Sequence, residues 1–227
     1  MILTPEFESG YLTMTSPLIA PYPIPHPDPH PCSEVDLVRD AKRGDREAFN
    51  RLVLAYQDVI FNLAVRTLGC EDLADDITQI TFLTAYAQLP RFRDGSFRGW
   101  LYRIATNACY DEFRRHKRHP VLSIDGHDLA DEHMSSLYEP PSPGASPEMQ
   151  AELEERAQLV QSALSQLDAD QRMVVILVDL QEFDYREAAL VLKIPVGTVK
   201  SRLSRARVHL QAILSKYGKS GLIELNN

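Results

Sequence analysis

The stretch that most constrains this chain is residues 184–210, DYREAALVLKIPVGTVKSRLSRARVHL. Its first part is short and apolar, with Ala188 and Ala189 leaving room for a close neighbour. Lys193, Ile194 and Pro195 then break the run, because proline has no amide for a continuing helix. A second helix is expected from about Val196. In it Val199, Leu203, Ala206 and Leu210 recur at helical spacing and form one buried stripe. The opposite face carries Gly197, Ser201, Ser204 and Arg205, flanked by Lys200, Arg202 and Arg207. Residues 196–207 hold four basic side chains and no acid. Such a helix, apolar on one side and short-polar plus basic on the other, placed after a tight turn, reads as the second helix of a helix-turn-helix. Its serines can reach base edges or phosphates, and an arginine can take guanine bidentately in the major groove.

Charge distribution complicates a simple DNA-binding reading. The formal net charge of the 227 residues is −8. Residues 91–118 nevertheless carry eight Arg and Lys against three acids, whereas residues 120–159 carry nine acids against Arg156 alone. Phosphate attraction supplies much of non-specific affinity, so a chain this acidic is expected to bind free DNA poorly and to need a partner that brings it there. Hydrophobic content of 44% and charged content of 25% are ordinary for a globular protein. No apolar run reaches membrane length and the start lacks a signal pattern, so a cytoplasmic protein without membrane insertion is expected. Cys32, Cys70 and Cys109 are scattered and odd in number, which argues against a disulfide framework.

In chain order, residues 1–33 are dominated by proline (PYPIPHPDPHP) and are expected to form a disordered arm. His26, His30 and Cys32 lie in that arm without ligand spacing on rigid elements, so no metal site is assigned. Three helices follow to about residue 89. Val35, Val38 and Ala41 open the first, which ends at Gly44, and Asp45 can cap the second. Phe49, Leu52, Val53, Tyr56, Ile60, Leu63 and Ala64 make a long apolar stripe. In the third helix Leu73, Ile77, Ile80 and Ala87 are expected to point one way. Asp72, Asp75, Asp76 and Gln79 share another face that runs on into Phe82, Leu83 and Tyr86. An acidic patch merging into aromatic and aliphatic side chains suits a basic, partly apolar partner helix.

Pro90 ends that helix, and RFRDGSF (residues 91–97) is a turn centred on Asp94 and Gly95. Ser96 can cap a long helix to about Lys117. Phe97, Leu101, Ile104, Ala105 and Ala108 are its expected buried side. Trp100, Arg103, Asn107, Tyr110, Arg114 and Lys117 fall on an adjoining row. Rings that stack on bases, an amide that reads an edge and cations that follow phosphates are what unpaired DNA requires; Trp100 can equally belong to the core. Residues 119–147, acidic and then EPPSPGASP, read as a linker. A helix resumes at 148–167, and Asp168 or Asp170 caps an apolar helix over 171–180.

Three segments, DLADDITQITFLTAYAQLPRFR (72–93), SFRGWLYRIATNACYDEFRR (96–115) and LDADQRMVVILVDLQEFDYREAALVLKIPVGTVKSRLSRAR (167–207), together resemble bacterial RNA polymerase sigma factors of the extracytoplasmic-function (ECF) group. The resemblance covers about residues 35–216. It implies an all-α chain of two small helical domains, a sigma region 2 bundle over 34–118 and a sigma region 4 helix-turn-helix over 148–217, joined by a flexible acidic linker over 119–147. The arm over 1–33 and a tail over 218–227 lie outside it. The resemblance further implies that Asp72, Asp75, Asp76, Gln79 and Phe82 dock on the beta-prime clamp helices of core RNA polymerase. Arg93, Ser96, Arg103, Asn107, Tyr110 and Arg114 would recognise and open the minus-ten element, with Asn107 where an extruded base is held. Thr198, Lys200, Ser201, Arg202, Ser204 and Arg205 would read the minus-thirty-five element. The beta flap, promoter DNA and an anti-sigma factor are the other implied partners. One departure stands out: members often have a glycine where this chain has Glu182 and Phe183.

The reading is therefore a dissociable promoter-specificity subunit with no catalytic residues and no cofactor. The alternative is a stand-alone helix-turn-helix activator or repressor, which would leave the Asp72 face and the Asn107 row without a use. No nucleophile–base pair or phosphate-cradling glycine loop points to an enzyme.

Overall fold

The computed structural model describes residues 33–93, 95–118 and 147–218, and every regular element among them is helical. In order these are α1 (Glu34–Lys42), α2 (Arg46–Leu68), α3 (Glu71–Gln88), a 3-10 turn (Leu89–Arg91), α4 (Phe97–Arg118), α5 (Pro147–Ser165), α6 (Ala169–Val175), a π-helical turn (Ile176–Leu180), α7 (Tyr185–Leu192) and α8 (Val196–Gly218). The proposed arm except Ser33, Asp94, the proposed linker except Pro147, and the tail beyond Gly218 lie outside the described residues.

Helix α2 is the axle of the first lobe. Asp45 starts it, its carboxylate accepting from the amides of Glu47 and Ala48, which satisfies donors that a helix start otherwise leaves open. The apolar stripe is buried at Phe49, Leu52, Tyr56, Ile60, Leu63 and Ala64, with Val53 half-buried. Each fully buried Leu or Ile contributes about 1.5–3 kcal/mol. Gly69 ends α2 in the left-handed region (φ 76°), its amide donating to the Val65 carbonyl at 2.7 Å, a conformation that costs any residue with a Cβ. Ser96 caps α4 by accepting from the Gly99 amide at 3.0 Å.

The second lobe is built from α5 to α8. Asp184 and Glu187 form a reciprocal capping box at the start of α7. Lys193 closes α7 in the left-handed region at φ 54°, and Val196 then begins α8, whose stripe Val199, Leu203, Ala206 and Leu210 is buried as the spacing predicts.

Four readings of detail change. Val35 is 73% exposed, and Leu37 takes the inward place beside Val38 and Ala41. Helix α3 turns Ala74, Ile77, Thr81, Phe82 and Ala85 inward, leaving Ile80 and Ala87 exposed. In α4 the buried side is Phe97, Leu101, Tyr102, Ala105 and Cys109, with Ile104 and Ala108 only half-buried. Asp168 precedes α6 but its side chain makes no cap bond, and α6 ends at Val175 in a wider turn. The two lobes are not separate in this state: side chains of α2 and α4 share one continuous core with α5, α6 and α7.

Candidate nucleic-acid and partner interfaces

The acidic face of α3 is open. Asp72, Asp75, Asp76 and Gln79 are exposed, and Leu83 (65%) and Tyr86 (47%) extend it as apolar surface. Behind this face runs a groove of about 810 Å³ between α2 and α3, walled by Arg46, Phe49, Val53, Asp75, Asp76 and Phe82. Phe82 is only 8% exposed, so it forms the groove floor, and Ile80 is the freer side chain. Tyr86 stacks edge-on against Phe49 at 5.0 Å, which fixes one wall.

The α4 row is different in kind. Arg93, Ser96, Asn107 and Arg114 are exposed, and Arg114 pairs with Asp111 at 3.5 Å. Trp100 is half-buried in an aromatic cluster with Phe92 (4.9 Å) and Phe97 (5.6 Å), so it is shared between core and surface. Lys42 donates to the Phe92 carbonyl at 2.7 Å and lies over the Phe92 ring, tying the loop before α4 to α1. Arg103 and Tyr110 are engaged by the second lobe. The Arg103 guanidinium donates to the Leu190 carbonyl at 2.7 Å. Tyr110 faces the Asp170 carboxylate, and its phenol is held above its ordinary pKa first by burial and then by that carboxylate. It therefore remains a neutral donor at physiological pH.

On α8, Lys200, Ser201, Ser204 and Arg205 are exposed and Thr198 is half-buried. Arg205 folds back to the Ser201 carbonyl at 3.2 Å, Ser201 donates to the Thr198 carbonyl at 3.1 Å, and Lys200 lies over the Tyr185 ring. These are short-range contacts that an approaching phosphate or base could displace. Arg202 is paired with Asp170 at 2.6 Å, and Arg207 forms a bidentate pair with Asp179 at 2.5 and 3.2 Å. The basic set on this helix thus divides into exposed cations and cations bound within the lobe.

Sequence reasoning missed the side chains that join the lobes. Tyr102, buried on α4, donates to the Gln181 side-chain carbonyl, and burial raises its phenol pKa to about 12. Arg98 donates to the Gln181 backbone carbonyl and sits 4.2 Å from the Phe183 ring centre. Arg172 donates to the Thr67 carbonyl at 2.5 Å, and Gln161 to the Val65 carbonyl at 3.3 Å. A faint signal existed: Gln181 directly follows the apolar run MVVILVDL.

The sigma-70 region 2 pattern matches residues 52–119, and the sigma-70 region 4 pattern matches residues 157–210. The chain is 34% identical to the ECF RNA polymerase sigma factor SigW of Bacillus subtilis, over 77% of this chain and 92% of that one. It is 35% identical to the ECF RNA polymerase sigma-E factor of Escherichia coli, over 75% of this chain and 88% of that one. Among solved structures it is similar to CnrH in complex with the cytosolic domain of CnrY, with a TM-score of 0.57 and 30% identity over 81% of this chain and 97% of that one. It is also similar to the sigma factor RpoE in complex with the anti-sigma factor NepR from Bartonella quintana, with a TM-score of 0.56 and 29% identity over 74% of this chain and 98% of that one.

An all-helical chain with these two regions in this order is of the class of RNA polymerase specificity factors. More narrowly, it belongs to the sigma-70 family, in its extracytoplasmic-function group.

Proposed function

We propose that this ECF sigma factor binds core RNA polymerase through the exposed acidic face of α3, leads it to promoters and helps open the duplex. Asp72, Asp75, Asp76 and Gln79 supply charge to a basic partner helix, the beta-prime clamp helices, while Phe82 in the groove floor and the neighbouring Leu83 and Tyr86 supply apolar area. The second lobe meets the beta flap. Lys200, Ser201, Ser204 and Arg205, with Thr198 and Arg202 at the edge of the same face, read the upstream element in the major groove. Arg93, Ser96, Arg103, Asn107, Tyr110 and Arg114 act on the downstream element, Asn107 taking an unstacked base.

Binding energy does the work and no covalent chemistry is involved. Taking a base out of the stack costs a few kcal/mol, which stacking and amide contacts repay. Two weak readers carried on one polymerase gain effective concentration from each other, which suits a chain whose net charge of −8 disfavours DNA on its own. An anti-sigma protein is the partner that holds such a factor off polymerase, and the chain works in the cytoplasm beside the enzyme it directs. A stand-alone regulator would leave the α3 face idle.

The observation that carries this reading is the pairing of both sigma regions with an exposed acidic face on α3. The test is transcription in vitro with purified core polymerase on genomic templates. The wild-type chain is expected to direct initiation, and Asp75→Lys with Asp76→Lys to abolish co-purification with core. Undiminished polymerase binding by that charge-reversed chain would refute the docking assignment.

A further inference from the structure

We infer that the chain's own residues 21–25, PYPIP, occupy the groove between α2 and α3 and keep other partners out of it until one displaces them. The effect of this occupancy on polymerase rests on the reading, proposed above, of the α3 face as the docking surface. The occupancy itself rests on the lining of the groove, the point where the arm joins the fold and the composition of the arm.

The lining is the kind that proline-rich segments use. Phe82 closes the floor, Phe49 and Tyr86 meet edge-on at 5.0 Å, and the amide side chains of Asn50, Gln57 and Gln79 stand among them. A polyproline chain makes no hydrogen bonds of its own. Its carbonyls are left to accept from side-chain amides while its rings lie against aromatic walls. Reach agrees with lining. Helix α1 begins at Glu34, whose carboxylate accepts from the Tyr56 hydroxyl, so the arm joins the fold beside Gln57, at one end of the groove. From there the α2 wall runs back to Arg46, about 17 Å at about 1.5 Å per residue. Five or six residues in polyproline geometry, at about 3.1 Å each, span that length. Residues 26–33, between PYPIP and Glu34, reach about 25 Å in the same geometry, enough to enter at the Gln57 end.

Charge agrees as well. Tyr86 meets Phe49 at the far end, so Asp75 and Asp76, about three turns earlier on α3, stand at the Gln57 end. Residues 17–27 hold no acid, so PYPIP brings no like charge to those carboxylates. His26, the next residue, comes to that end, where its imidazole can donate to either of them. Tethering supplies the affinity that five residues alone would lack. A short linker holds the segment at an effective concentration in the millimolar range. An intrinsic dissociation constant of about 0.1 mM is then enough to fill the groove about nine-tenths of the time, and a competitor's apparent affinity falls about tenfold.

The test uses the full-length chain with a photo-crosslinking residue at position 57, and in a second preparation at position 53, both on the α2 wall. An arm variant carries Pro21→Ser, Tyr22→Ala, Pro23→Ser and Pro25→Ser in the same backgrounds, and circular dichroism melts establish that its helices are intact. Irradiation is expected to join the probes to residues 21–27 of the same chain, with a yield that survives dilution. The arm variant is expected to lose those crosslinks and, without a probe, to bind purified core polymerase about five- to tenfold more tightly than wild type. Crosslinks from neither position to the arm overturn the inference, as do crosslinks that vanish on dilution, which a second copy of the chain would give, and an arm variant that keeps the wild-type crosslinks. Crosslinks lost as expected with no gain in polymerase affinity would instead overturn the docking assignment of the α3 face and leave the arm in its groove.

Discussion

Helices α4 and α8 carry the two rows of residues proposed to contact DNA, and they differ in how their side chains are held. On α8 the buried stripe and the exposed face are divided except at Thr198 and Arg202 on the edge, and the exposed Lys200 and Arg205 keep local contacts with their own lobe. On α4 no such division exists. Trp100 and Tyr110 are half-buried, Arg103 is tied to α7, and among the described side chains of the row Asn107, Arg114 and the preceding Arg93 and Ser96 are open. A helix that reads a rigid duplex groove can be finished within its own lobe. A helix that handles unpaired strands needs aromatic bodies and long cations, and those same groups are well suited to gluing lobes together. On the proposed assignment, the contrast teaches that exposure in the free chain is a guide to a duplex reader and a poor guide to a strand-opening one.

The largest effect that would sharpen this contrast is structural. Leu203→Ala removes a buried side chain beneath the α8 reading face and is expected to destabilise the second lobe by about 2–5 kcal/mol, seen as a lower midpoint in urea denaturation. Next come the readers themselves, with effects of about 1–3 kcal/mol on discrimination. Arg205→Ala should weaken the holoenzyme's preference for its upstream element in duplex binding and leave strand opening of bound promoter intact. Asn107→Ala should do the reverse, keeping duplex binding while permanganate footprinting shows less unpaired DNA. Equal loss of both activities in both variants would break the division between the rows. The smallest effect is a gain. Glu182 sits at φ 56°, so Glu182→Gly is expected to stabilise the chain by about 0.5–1 kcal/mol, read as a small rise in Tm.

Glu182 also shows how much the sequence could tell. The departure at the glycine position was visible as a mismatch with the resembled family, and the left-handed backbone there supplies its physical meaning: the corner asks for glycine geometry and this chain meets it with a strained residue. The α8 stripe was legible because a lobe-autonomous helix displays its period directly. The caps at Asp45 and Ser96 were legible because such side chains compete for the first free amides, whereas the Asp184–Glu187 box emerged only from the structure. Helix α3 was harder. Its apolar residues cover more than half its circumference, so Ile80 and Phe82 could be exchanged between inside and outside by a choice of stripe, and burial decided for Phe82. The seam between the lobes was the hardest part to read. Tyr102 meets Gln181 across 79 residues of chain and Arg172 meets Thr67 across 105, and no local period encodes a contact at that separation.

The wide turn at Ile176–Leu180, where the Gln181 amide reaches back five residues to the Ile176 carbonyl at 2.9 Å, has a consequence for how this protein can vary. Regular winding advances each residue by about 100°. Deleting a single residue within 176–180 would let α6 run straight, and would swing the corner that follows by about that angle, carrying the Gln181 amide away from the phenol it meets. The grip between the halves is then a matter of length as well as chemistry: a one-residue deletion there, touching neither proposed reading row, is expected to remove the Tyr102–Gln181 bond.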